Sequence, residues 1–148
     1  MKEEIQRWEK IVELAQQEVD RAAQVFASLQ AQWQEAQNQL LSLRNYQQEY
    51  QQATPLNTAL QIQQLQSKAL FMHKVNQAVQ AQSQQVDALN ERVQKGREIW
   101  VEKRARLKAL QTLLDNKRRS WQEKLDKREQ KMLDELAAKN AHKRQGFP

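Results

Sequence analysis

Every seventh residue from Leu65 to Trp121 is apolar: Leu65, Met72, Val79, Val86, Val93, Trp100, Leu107, Leu114 and Trp121. Seven residues complete almost two helical turns, so this period puts all nine on one lane of a single long helix. A companion lane is mixed, with Val75, Leu89 and Leu110 alternating with Lys68, Gln82, Gly96 and Lys103. An earlier run alternates three and four residues through Ile5, Trp8, Val12, Ala15, Val19, Ala22, Phe26, Leu29, Trp33, Ala36, Leu40, Leu43, Gln47 and Tyr50. Thirteen of those fourteen are apolar or aromatic. Each stripe needs cover from water, and the nearest cover for one is the other.

What separates the two runs is Pro55. Proline lacks an N–H and disfavours helix at the residue before it, so the first helix should end near Gln52, with Thr54 or Asn57 available to cap the next. The chain holds only two glycines and two prolines in 148 residues, too little turn material for any further fold-back. Ala, Leu, Gln, Glu, Lys and Arg dominate, all good helix formers. The expected fold is all-α: one coiled-coil domain over residues 1–148, an antiparallel two-helix hairpin with a longer second helix. Its predicted parts are a helix over about 3–52, a turn over 53–57, a helix over about 58–138 and a frayed tail, 139–148.

A hairpin centred on Thr54 to Leu56 sets residue i across from roughly 110 minus i. That register predicts Trp8 near Trp100, Ala15 near Gly96, and Leu40 near Leu70 to Met72. It also predicts that the second helix outruns the first from about residue 106, leaving Leu107, Leu110, Leu114, Trp121, Leu125 and Met132 to meet something outside the chain. Gly96, the one glycine within a helix, reads equally as a point of close approach to Ala15 or as a tolerated surface position or hinge.

No catalytic constellation is visible. There is no GxxxxGK phosphate loop, no GxSxG elbow and no His/Cys/Asp spacing suited to a metal, and His73 and His142 stand isolated. The expectation is a protein that is not an enzyme, with no catalytic residue, cofactor or metal. Cysteine is absent, no apolar run of about 18 residues could span a bilayer, and MKEEIQRWEK lacks the apolar stretch of a signal peptide, which together predict a cytoplasmic location. The 27 glutamines fall between seam positions and read as neutral solvent faces rather than an aggregating tract.

The net charge of +6 is uneven: residues 1–91 carry seven Lys/Arg against ten Asp/Glu, and residues 92–148 carry seventeen against eight. The basic groups of the second half wind around the helix, and an acidic protein collar, a nucleic acid or an anionic lipid surface would each be attracted to them.

Two segments carry a resemblance. LLSLRNYQQEYQQ at 40–52 and REIWVEKRARLKALQTLLDNKRRSWQEKLDKREQKMLDELAAKN at 97–140, with the chain length and the hairpin break, resemble the FliJ family, a small component of the bacterial flagellar type III protein export apparatus. The resemblance implies an antiparallel coiled coil similar to the stalk subunit of rotary ATPases. It implies a stalk seated in the hexameric flagellar export ATPase, promoting its assembly and activity and coupling it to the membrane export-gate protein, with escort of export chaperones. Location would be peripheral at the cytoplasmic face of the inner membrane, through these partners, and no nucleic acid is expected. For the gate, the family's positions correspond to Gln39, Leu43, Tyr46, Tyr50, Phe71, Val75 and Ala78. For the ATPase ring, the unpaired basic stretch offers Leu107, Leu110, Leu114, Arg118, Arg119, Trp121, Leu125, Arg128 and Met132. Tyr46 and Phe71 lie one position off the strict lanes, so their rings should sit half-exposed at the seam edge, which suits a binding surface. A basic helical hairpin that binds nucleic acid, and a stalk of a virulence type III secretion system, remain as alternatives.

Overall fold

The computed structural model describes residues 2–52 and 62–145. They form two helices, α1 (Lys2–Gln52) and α2 (Ile62–Gln145), of 51 and 84 residues. Glu3 and Glu4 occupy the first turn of α1, and His142, Lys143 and Arg144 the last turn of α2; both placements complement the helix dipole. The Pro55 turn and its capping residues lie outside the described residues. The predicted end of the second helix at 138 is corrected to Gln145: Ala137, Ala138, Lys139 and Ala141 favour helix, and nothing before Gln145 breaks it.

The lanes read from sequence are the lanes that pack. All fourteen positions of the α1 stripe are buried or half-buried, as are eight of the nine on the strict α2 lane. Leu65 is the exception, at 49% exposed. Among the described residues no large side chain is wholly enclosed, as a seam between two helices requires.

The packing divides into two compact units, Asp20–Glu102 and Met1–Val19 with Lys103–Pro148. In the first, here the central unit, Ala36, Leu40, Val86 and Leu89 form a core against which Trp33 and Val79 pack. Phe26 and Trp100 stack with centroids 5.7 Å apart and planes 13° from parallel. Gly96 is buried beneath α1: a Cβ there would lie 3.0 Å from Leu29 Cδ1 and 3.7 Å from Phe26 Cα. Gln82, on the mixed lane, donates from Nε2 to the backbone oxygen of Ala36 at 2.9 Å and to Gln39 Oε1 at 3.3 Å. In the second, the terminal unit, Ala15, Val19, Leu107 and Leu114 are buried, and Leu114, at 4%, is the least exposed side chain of the buried core. Ile5, Trp8, Val12 and Leu110 are half-buried alongside them.

Both units are antiparallel, but the register differs from the predicted one. Glu4 pairs with Lys117, Glu18 with Lys103, and Tyr50 meets Phe71; the two residue numbers add to 121 in each case. Trp100 therefore faces Phe26 rather than Trp8, Gly96 faces Leu29 and Phe26 rather than Ala15, and Leu40 packs in the cluster of Val86 and Leu89 rather than near Leu70 to Met72. The shift from 110 is about three helical turns, which a stripe of helical period accommodates while keeping apolar against apolar. Pairs whose numbers add to 121 are centred near residue 60, not on Thr54 to Leu56, which is where the expected register was anchored.

The register carries one correction with functional weight. Leu107, Leu110 and Leu114 are not unpartnered; they lie under residues of α1 in the terminal unit. The exposed stretch of α2 begins after Trp121, and every residue from Gln122 to Gln145 is exposed.

Gly96 supplies a test of the close approach. Gly96→Ala asks only a small shift of the flexible Leu29 methyl and gains helix propensity of about 1 kcal/mol, so its melting temperature should equal or exceed the parent's. Gly96→Leu must push α1 away and should cost about 1–3 kcal/mol in thermal or urea unfolding.

Candidate functional site

Two regions hold the candidate residues, each within one unit. In the central unit the pleat-free geometry of paired helices leaves residues beside the seam half in water, and there the aromatic residues gather. Tyr50 lies on the lane and Tyr46 one turn before it, so their rings share one flank of α1. Their centroids are 6.3 Å apart. Phe71 of α2 closes the group, 4.8 Å from Tyr50 and 6.3 Å from Tyr46, the latter edge to face. Tyr46 is 47% and Phe71 38% exposed, so the cluster presents ring area to solvent. Lys68 Nζ sits 5.7 Å from the Tyr50 ring centroid, a cation–π contact that orders the rim of the cluster. One turn along the seam, Gln47 donates to Asn76 Oδ1.

The remaining gate candidates separate by burial. Gln39 and Ala78 are exposed, Leu43 half-buried, and with Gln82 they line one groove between the helices. Val75, at 8% exposed, belongs to the seam and supports the surface without presenting itself. Lys68 is the member the sequence reading left out of this site; its place on the mixed lane, seven residues before Val75, was the available signal.

In the terminal unit the ring candidates divide sharply. Leu107 and Leu114 are buried and Leu110 half-buried within the seam, so they are core. Arg118 donates to Glu9 Oε1 at 2.9 Å and has Asp115 at 3.9 Å. Lys117 donates to Glu4 Oε1 at 2.8 Å and stands 5.0 Å from the Trp8 ring centroid. Lys103 reaches Glu18 Oε2 at 3.3 Å. Lys117, by its hydrogen bond and then its charge, holds the Glu4 carboxyl below the ordinary carboxylate range. The stabilisation from this contact is therefore present above that range and is lost as pH falls through the lowered value.

Trp121 is half-buried at the end of the seam, and Arg119 is exposed. Beyond them Leu125, Met132 and Leu136 continue the lane of Leu114 and Trp121 to within about 60° around the helix, at 37%, 63% and 53% exposed. Leu133, 62% exposed, widens that stripe, and Arg128 lies at its edge. Leu133 and Leu136 were missed as candidates, although Leu136 follows Met132 at the four-residue spacing of a helical lane. Residues 122–145 carry seven Lys/Arg against five Asp/Glu, a mild excess of two. Among the described residues no group of three or more His, Cys, Asp or Glu is placed to hold a metal ion, and no helix is long and apolar enough to cross a membrane.

The division between core and surface leucines can be measured. Leu114→Ala should cost about 2–5 kcal/mol of unfolding free energy, whereas Met132→Ala should change it by no more than about 0.5 kcal/mol. Urea denaturation of both variants checks the register directly.

The family model described as "Flagellar FliJ protein" matches residues 4–146. The chain is 28% identical over 135 residues to a Flagellar FliJ protein of Salmonella typhi, covering 90% of this chain and 92% of that one. It is 27% identical over 131 residues to a Flagellar FliJ protein of Escherichia coli (strain K12), covering 87% and 89%. With the match spanning both helices from Glu4 onward, the chain belongs to the flagellar FliJ family.

Proposed function

We propose that this chain is a non-enzymatic stalk of the flagellar export apparatus, which seats its α2 extension in the hexameric export ATPase and offers its aromatic cluster to the export gate. The observation that carries the reading is the extension itself. Residues 122–145 run about 36 Å as helix, every one of them exposed, and keep an apolar stripe of Leu125, Met132 and Leu136. A helix that retains its apolar lane past the end of its partner is suited to entering a protein socket. Membership of the FliJ family supplies the machine. Escort of export chaperones and a peripheral place at the flagellar base belong to the same reading.

The ring-binding set is accordingly revised to Arg119, Trp121, Leu125, Arg128, Met132, Leu133 and Leu136: the original set without the seam leucines and without Arg118, which faces Glu9, and with two additions. A nucleic-acid role is less well supported by the charges: Lys103, Lys117 and Arg118, three of the cations that would meet phosphates, already face carboxylates across the seam.

The two ends can be tested separately in one assay series. Leu125→Ser, Met132→Ser and Leu136→Ser combined should leave the melting temperature within a few degrees of the parent's and abolish stimulation of a purified hexameric flagellar export ATPase. Tyr46→Ala with Phe71→Ala should instead weaken binding to the cytoplasmic part of the gate by at least about tenfold, the loss typical of two central aromatic anchors, and leave ATPase stimulation intact. Full stimulation by the triple variant would sink the stalk reading.

A further inference from the structure

The terminal unit pairs the two halves of the chain's uneven charge. Residues 2–19 carry five Glu against three Lys/Arg, and they lie on the α2 segment 103–121, which carries seven Lys/Arg against one Asp. Three carboxylates cross the seam: Glu4 to Lys117 at 2.8 Å, Glu9 to Arg118 at 2.9 Å and Glu18 to Lys103 at 3.3 Å. Between and beneath them Ile5, Trp8, Val12, Ala15 and Val19 meet the face of Leu107, Leu110, Leu114 and Trp121.

We propose that residues 2–19 are a displaceable cover, and that the face of α2 beneath them, Lys103 to Trp121, accepts in exchange an acidic amphipathic helix from another protein. The chemistry of the acceptor is read from its present occupant: apolar residues at three- and four-residue spacing, with a carboxylate flanking the stripe about every one to three turns. Displacement is feasible because the hold is weak where it is polar. All three ion pairs are partly exposed, and such pairs contribute little individually and weaken as salt screens them. The buried part is small: Ala15 and Val19 are the only residues of 2–19 in the buried core. A segment with so few buried apolar groups can peel from α2 by local opening. The face exposed by peeling holds Leu107 and Leu114, apolar surface of the size that anchors a partner helix. This goes beyond the stalk reading and does not depend on it, since neither the ATPase nor the gate enters the test.

Hydrogen exchange on the full chain measures the cover. Raising salt from about 0.05 to 0.5 M shortens the Debye length about threefold and should speed exchange of the amides around Val12 to Val19 and Leu107 to Leu114 by about tenfold, while those around Leu40 and Val86 change far less. The full-length triple variant Glu4→Gln, Glu9→Gln, Glu18→Gln should show the fast exchange at low salt. It should also bind a fluorescent synthetic peptide of residues 2–19 at least about tenfold more tightly than the parent does, and a peptide with Gln at positions 4, 9 and 18 should bind neither. Glu4→Lys with Lys117→Glu, which keeps both charges and reverses the pair, should recover slow exchange relative to either single change. Exchange in both units that responds equally to salt, or peptide binding indifferent to its glutamates, would overturn the proposal.

Discussion

Which turn of α1 lies against which turn of α2 decides what this protein buries and what it shows. Heptad lanes alone do not decide it, because sliding one helix by whole turns still brings apolar to apolar. The choice is made by the residues that interrupt the lanes. Gly96 lies where α1 comes close, under Leu29 and Phe26. Gln82 reaches a backbone oxygen at Ala36, Lys103 a carboxylate at Glu18, and Lys117 another at Glu4. A polar residue in a coiled-coil lane typically lowers stability and fixes alignment, and in this register each of these finds a partner.

From that alignment the rest is arithmetic on helix lengths. The first turn of α1 lies against the region of Lys117, where Glu4 pairs with that lysine, and all 24 residues from Gln122 to Gln145 are exposed. Had the pairing followed a tight turn at Pro55, the uncovered stretch would have started near residue 106 and carried Leu107 and Leu114 into solvent. Those two leucines are instead among the ten buried core residues. The same alignment brings Phe71 beside Tyr50 and Tyr46, assembling an aromatic surface from residues some twenty positions apart in sequence.

How far the sequence alone was legible follows from the range of each signal. Periodicity is local, and all fourteen α1 positions it picked from Ile5 to Tyr50 lie in the seam, as does the α2 lane from Met72 to Trp121. The exposed edge positions of Tyr46 and Phe71 followed from the same count. Register is a long-range property, and the sequence offered a single proline to anchor it. The mixed lane of Lys68, Gln82, Gly96 and Lys103 looked like a weakness of the second helix; it is where the cross-helix contacts are made. The basic C-terminal half looked available for an outside partner, because Glu4, Glu9 and Glu18 lie about a hundred residues earlier and only the correct register brings them across. Leu125 and Met132 were placed correctly on the surface, since the expected register and the observed one both leave them beyond the paired region.

Distance measurement between spin labels tests the alignment most directly, and the absence of native cysteine makes the labelling clean. Gln30, Gln80 and Glu91 are all exposed and all lie in the central unit. Labels on Gln30→Cys and Glu91→Cys should be near neighbours across the seam, while those on Gln30→Cys and Gln80→Cys should be offset along it by about 16 Å. A short separation for the Gln30 and Gln80 pair with a long one for Gln30 and Glu91 would contradict the register, and with it the assignment of buried and exposed leucines on α2.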